Sequence, residues 1–210
     1  MIRPITALTL ALIALAVPSL AEGAASPTSC QREGATLLAA SGKVRVVSVK
    51  EKPQNSETRR VRLYGCWTAT GRRFTLFIQR DFGLDLIERA HIEIVDGRYI
   101  GVIRDFEGGV SESQTAATWD ASKHVAVRNS KPCDEVSSGD FSGVEDAVFF
   151  RGGGLAYSCN GSLRISDNKG DRELEPVGAK VTQLAVAANA RGFGARLYYT
   201  ADTTLKTVVL

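Results

Sequence analysis

Five acidic side chains crowd the stretch just after Cys133: Asp134, Glu135, Asp140, Glu145 and Asp146. Carboxylates at that density suit a hard cation such as calcium, which takes about six to eight oxygen ligands. The spacing fits no EF-hand loop, so a hydrated acidic loop is the plainer expectation. Calcium is the one cofactor these residues leave open; no other is expected. Asp167-Asn168-Lys169-Gly170-Asp171 also opens like a calcium loop, but it lacks the glutamate such a loop needs further on. Hairpin-turn chemistry explains its Asn and Gly more simply. The two histidines, His91 and His124, are far apart, each beside the start of a strand-like run. A Ser-His-Asp triad needs a histidine bonded to both a nucleophile and a carboxylate. No Gly-x-Ser-x-Gly elbow is present to supply the serine. No catalytic, cofactor-binding or metal-ligating residue is therefore assigned.

Other short matches reduce to structure. Asp81-Phe82-Gly83 spells the kinase magnesium motif without its glycine-rich loop, strand lysine or catalytic loop. Trp119-Asp120 is one copy of the WD dipeptide, weak support for that repeat class. Asn160-Gly161-Ser162 has the form of a glycosylation acceptor, but Asn-Gly is first a turn. Arg59-Arg60 and Arg72-Arg73 are too short for a nucleic-acid patch and have no interleaved aromatics to stack bases. Trp67, Trp119 and Tyr198-Tyr199 could stack on a sugar, yet large rings are first of all core material.

The four cysteines, Cys30, Cys66, Cys133 and Cys159, contain no Cys-x-x-Cys and no Cys/His cluster. A zinc site is thereby disfavoured, and two disulfides are expected if the chain is exported. Three pairings are formally open. Cys30–Cys66 and Cys133–Cys159 are favoured, because each pair sits within one half of the chain; loops of that size would contribute about 3.5–4 kcal/mol each. Export is predicted from residues 1–21: Arg3 gives a basic start, an apolar run follows, and Ser19-Leu20-Ala21 suits signal-peptide cleavage before Glu22. That run is too short to span a bilayer, which takes about 20 apolar residues. Residues 22–29 form a short linker, and 30–210 a single domain. The formal charge is +3, falling to +2 without Arg3. Interspersed charge of that size argues against nucleic acid or an anionic membrane as partner. No transmembrane span is expected in the mature chain, and a monomer is expected.

Whatever positions these residues must be built of strands. Gly-containing turns punctuate the chain at short intervals: Ser41-Gly42, Thr70-Gly71, Asp96-Gly97, residues 107–109 and 152–154, Asn160-Gly161 and residues 168–170. Between them lie short runs of Val, Ile, Leu, Phe, Tyr and Thr, the strand-and-hairpin pattern. Some alternate: Val44 and Val46 share a face, as do Leu163 and Ile165, Phe74, Leu76 and Ile78, and Val125 and Val127. Others are apolar on both faces and must be covered twice: residues 35–40 (ATLLAA), 99–103 (YIGVI), 147–150 (AVFF) and 184–188 (LAVAA). Each heads a unit whose later strands alternate, repeating at roughly 40–60 residues. A β-propeller blade explains that order, because its inner strands are sandwiched between neighbouring blades. The final run, TTLKTVVL, is an apolar strand that needs a partner at its edge, as ring closure would supply. The fold class expected is all-β, a propeller-like array of about four small antiparallel sheets, with a sandwich or barrel as the alternative. Residues 82–91 could instead make one helical turn, with Leu84, Ile87 and His91 at helical spacing, or a loop. Residues 50–60 and 105–113 are expected to be long exposed loops.

The phrases GATLLAASGKVRVV, YGCWTATGRRFTL, GRYIGVI and RLYYTADTTLKTVVL resemble those of a family of secreted bacterial β-repeat proteins. Tyr199 stands where that family usually has Trp, and residues 129–142 depart from its pattern. The resemblance implies a propeller-like fold and export, and no activity. The expected function is an exported, non-catalytic scaffold or binding module. The alternatives are a secreted hydrolase or lyase with a site in a propeller channel, and an assembly element pairing through its edge strands.

Overall fold

The turn residues dictate a chain that doubles back on itself throughout. The computed structural model describes Cys30 and residues 33–83, 86–108, 111–131, 143–188 and 195–210. It is all-β, with several antiparallel sheets, none closed into a barrel. Strands β1 (Ala35–Ser41), β2 (Val44–Glu51), β3 (Arg59–Trp67), β4 (Arg72–Gly83), β5 (Leu86–Val95), β6 (Tyr99–Gly108), β7 (Ser111–Asp120) and β8 (Val125–Asn129) pair in chain order as one sheet. A weak seam divides it: β4 and β5 share only the pairs Asp81↔Ile87 and Gly83↔Leu86. Next come β9 (Val144–Phe150), β10 (Gly154–Cys159), β11 (Ser162–Asp167) and β12 (Gly170–Glu175), then β13 (Val181–Ala188), β14 (Ala195–Ala201) and β15 (Thr204–Val209), each group a separate sheet. Asp96-Gly97 and Asn160-Gly161 both have two consecutive positive φ angles, the turn whose twist matches that of the strands it joins.

Three apolar cores lie in series between these layers. The first joins Val44, Val46, Val61, Leu63, Leu76 and Phe77 of β2–β4 to Ile100 and Val102 of β6. The second sets Ala116 of β7 against Val144, Ala147, Phe149, Leu155 and Tyr157. The third packs Phe150, Ala156, Leu163 and Ile165 on Val181, Leu184, Leu197 and Tyr199. Strand β10 is buried along its whole length because Leu155, Tyr157 and Cys159 enter one core while Ala156 enters the next. Strand β6 is likewise shared between two cores, so the doubly apolar runs 99–103 and 147–150 are covered on both faces as their composition requires. The first strand of each group packs on the next, β1 on β5, β5 on β9 and β9 on β13.

Several expectations need correction. Run 35–40 is not dry: Leu37 and Leu38, at a register shift in β1, are 51% and 48% exposed. β1 is an edge strand, hydrogen-bonded only to β2. In run 184–188 Leu184 is buried but Ala185 and Ala187 face outward, so one face of the last sheet stays open, with Leu205 and Val209 exposed on its edge strand. Of residues 82–91, those described are strand rather than helical turn: β4 runs to Gly83 and β5 begins at Leu86, while 84 and 85 lie outside the described residues. His91 sits well inside β5, opposite Ile103, not at a strand start. Residues 105–108 and 111–113 belong to the long β6–β7 hairpin rather than to a loop, and only 52–58 of the polar insertion lie between strands. A bulge between Leu63 and Tyr64 of β3 leaves Leu76 as an extra residue on β4, so Leu76 and Phe77 both enter the core while Ile78 is only half-buried.

Polar pins fasten the layers. Cys30 is disulfide-bonded to Cys66, with Cα atoms 5.7 Å apart, as expected. Cys159 is also disulfide-bonded; Cys133, residues 1–21 and the 22–29 linker lie outside the described residues. Asp120 of the WD dipeptide is a buried anchor, held by both guanidinium bonds of Arg98 (3.2 and 2.7 Å) and by the Ser122 hydroxyl at 2.6 Å. Burial opposes its ionisation, but Arg98 and Ser122 outweigh that and keep its pKa below the usual carboxylate range. Glu51 accepts bonds from Arg60 and Arg62 and ties β2 to β3.

The two tyrosines of the 198–199 pair divide between faces. Tyr199 is buried, and its hydroxyl donates to Glu175 Oε1 at 2.8 Å, an oxygen that also accepts from Lys206 at 2.8 Å. Burial first, then the Glu175 carboxylate, push the phenol up to about 12. Its unfolded pKa is about 10. A raised folded pKa contributes stability that is complete below pH 10 and disappears as pH rises from there through about 12. The wild type should lose on the order of 2 kcal/mol over that window more than Tyr199→Phe does, in urea unfolding followed at successive pH values. Parallel curves for the two proteins would refute this.

Candidate functional site

The third core changes character at one end. Along β9 and β10, Phe150, Val148 and Ala156 face β13–β15, and the next positions on that face are Asp146 and Ser158. There the apolar contact gives way to a cleft of about 590 Å³, lined by Glu145, Asp146, Ser158, Asn160, Lys180 and Gln183 among others. That volume suits a small organic ligand and is far larger than a bare ion needs.

Two irregularities build it. On β9 the pairing shifts from Ser158↔Asp146 to Cys159↔Val144, leaving Glu145 as an extra residue. Neighbours on a regular strand point to opposite faces; a bulge removes that constraint. Val144 therefore stays with Cys159 in the second core while Glu145 and Asp146 both line the cleft beside Ser158. On β13 the register shifts between Thr182 and Ala185, and Gln183 adopts φ +58°. Asn160, Gly161, Gly178 and Lys180 also have positive φ, so left-handed backbone is concentrated around this one cleft. For Lys180 and Gln183 that conformation costs roughly 1–2 kcal/mol each. Gly161 is required here as well, because a Cβ would lie 3.0 Å from the Lys180 nitrogen.

The carboxylates are held by main chain. Asp146 Oδ2 accepts from Leu184 N–H at 2.9 Å, and Glu145 Oε2 accepts from Gly161 N–H at 3.2 Å. Ser158 is 0% exposed, and its hydroxyl has no hydrogen-bond partner among the described residues. A buried polar group left unpaired costs about 1–3 kcal/mol. Lys180 also lines the cleft, is exposed and has no ion pair among the described residues. The cleft therefore offers fixed acceptors, a desolvated hydroxyl and one ammonium.

Neither histidine lines it. His91 is exposed on β5, and His124 occupies the β7–β8 turn at φ +62° with its ring 5.4 Å from Phe74 and its Nε2 buried without a partner. Of the acidic stretch, Glu145 and Asp146 reach the cleft, whereas Asp134, Glu135 and Asp140 lie outside the described residues. Among the described residues no group of three or more His, Cys, Asp or Glu is placed to hold a metal. The calcium-like start at Asp167 is committed elsewhere: Arg172 binds both Asp167 oxygens, and Asp171 pairs with Lys131. Asp81 Oδ1 accepts from the Gly83 N–H as a local turn. Trp119 packs on Phe74, Lys43 lies over Trp67, and Arg73 stacks on Tyr64, so these rings and this arginine are engaged. No helix among the described residues is long and apolar enough to cross a membrane.

Ser158, Lys180 and Gln183 were not legible as a site. The one hint was a serine inside the otherwise apolar run LAYSC. Bulges leave no periodic signature, so the convergence of Glu145 and Asp146 on that serine is invisible in the sequence. No family model matches the chain and no curated protein matches it, so the resemblance to secreted β-repeat proteins rests on its short motifs alone.

Proposed function

We propose that the protein is an exported, non-catalytic binding module: a propeller-like array, with the eight-stranded sheet counted as two at its β4–β5 seam, that holds its ligand in the cleft between the β9–β12 and β13–β15 sheets. The array is supported by three cores in series and by the successive packing of β1, β5, β9 and β13. Export is supported by the signal-like residues 1–21 and by the disulfide. The observation that carries the binding role is the concentration of two bulges and left-handed residues around a cleft with an unpartnered buried hydroxyl on its lining. Strain and bulges of this kind cluster at functional sites. A hydrolase is less well supported, because neither histidine reaches that cleft to activate Ser158.

A mixed small-molecule screen followed by amide NMR tests the proposal. Ligands should shift Ser158, Gly161 and Val181–Leu184 while leaving β2–β4 unmoved. Shifts confined to other surfaces would remove the cleft as the site, and turnover of a bound compound would restore the enzyme alternative.

A further inference from the structure

We infer that this cleft receives the primary ammonium of a zwitterion, either a free amino acid or the first residue of a short peptide. The inference rests on the cleft being the ligand site and adds the chemistry of what enters it. Three acceptor groups line the cleft: the Glu145 and Asp146 carboxylates, each anchored to a main-chain N–H through one of its two oxygens, and the Ser158 hydroxyl. Ser158 and Asp146 are directly paired across β10 and β9, so they share a face, and the Glu145 bulge brings the second carboxylate to them. A primary ammonium carries three N–H donors and no acceptor, which matches three acceptor oxygens one for one.

The hydroxyl is the sharper half of the match. It is fully buried and has no partner among the described residues, and an ammonium N–H would supply one through a charge-assisted bond. Lys180, also on the lining, selects against a simple polyamine by like-charge repulsion and favours a ligand that carries a carboxylate as well. A neutral sugar could donate hydroxyls to the carboxylates but would leave Lys180 without a counter-charge, and among the described residues no aromatic ring lines the cleft for it to stack on.

Titration of the folded chain with L-alanine, alanyl-alanine, N-acetyl-L-alanine, ethylamine and glucose, followed by amide NMR and calorimetry, separates the outcomes. L-Alanine or the dipeptide should bind with shifts at Ser158, Asp146 and Leu184, and which of them binds tells free amino acid from peptide. N-acetylation should abolish binding, and ethylamine should bind at least about tenfold more weakly for want of the Lys180 contact. Ser158→Ala should weaken binding about tenfold while leaving the melting temperature unchanged or higher, because it removes an orphaned polar group from the free protein. A merely structural serine would move stability and affinity together. Asp146→Asn keeps an acceptor for Leu184 N–H and should weaken binding at least about tenfold. If N-acetyl-L-alanine binds as well as L-alanine, or glucose alone shifts the cleft, the ammonium assignment is wrong while the cleft remains a binding site. If no probe shifts these residues the assignment is wrong too, and the binding module then depends on the wider screen alone.

Discussion

Cys30→Ser/Cys66→Ser is expected to be less stable than the parent by about 4 kcal/mol. The bridge spans a sequence separation of 36, and closing a loop of that length removes that much chain entropy from the unfolded state in the simple polymer model. The enclosed segment is the start of the architecture: it contains β1, β2 and nearly all of β3. Both cysteines are buried, so the variant also places two hydroxyls where the sulfurs were out of water. Urea unfolding monitored by circular dichroism measures the loss, and reducing agent, which also opens the Cys159 bridge, should bring the parent at least as low as the oxidised variant. A midpoint that hardly moves would mean that the unfolded chain is already restrained, or that the bridge is strained enough to cancel its gain.

Gly101→Ala should cost about 2–3 kcal/mol, and Gly101→Val more. Gly101 is not needed for its backbone freedom, since its φ is not positive. It is needed for space: a Cβ there would lie 2.3 Å from Cγ and Cδ2 of Phe149. That ring cannot step aside, because it is buried in the second core with Leu155 and Tyr157. The contact is where the β5–β8 strands meet the next sheet, so a methyl group at one glycine pries two layers apart. For a domain of this size the loss corresponds to a fall of roughly 4–12 °C in melting temperature. Combining Gly101→Ala with Phe149→Leu should recover part of it, because the smaller side chain vacates the volume the methyl needs; the pair will then be non-additive. Full additivity, or a neutral Gly101→Ala, would show that the two layers do not meet at this point.

The hairpins were legible, because their signals are local. Asn160-Gly161 and Asp96-Gly97 accept positive φ at low cost, and the strands on either side follow. The runs 99–103 and 147–150 were also legible as doubly covered strands, since apolar side chains on both faces need two neighbours. The same inference failed for run 35–40. Its composition is equally apolar, yet β1 lies at a sheet edge and exposes Leu37 and Leu38. Composition states what burial a strand would favour, not whether a neighbour is available to provide it. Residues 82–91 misled for a related reason: the helical spacing of Leu84, Ile87 and His91 is also compatible with extended chain, and pairing of β5 with β6 along its length decided the matter.

By itself, then, the sequence determined an all-β chain and the places where it turns, because those follow from φ preferences and side-chain alternation; it favoured Cys66 as the partner of Cys30 by proximity along the chain but left three pairings open. The tertiary structure alone decided which sheets stack, that Phe149 rests on Gly101, and that Glu145, Asp146 and Ser158 meet Lys180 and Gln183 in one cleft. Those outcomes depend on register. One extra residue in β9 re-aims two carboxylates, and another irregularity in β13 shapes the wall they face. Register is settled by the summed fit of whole sheets against one another, a long-range quantity that no short stretch of residues encodes.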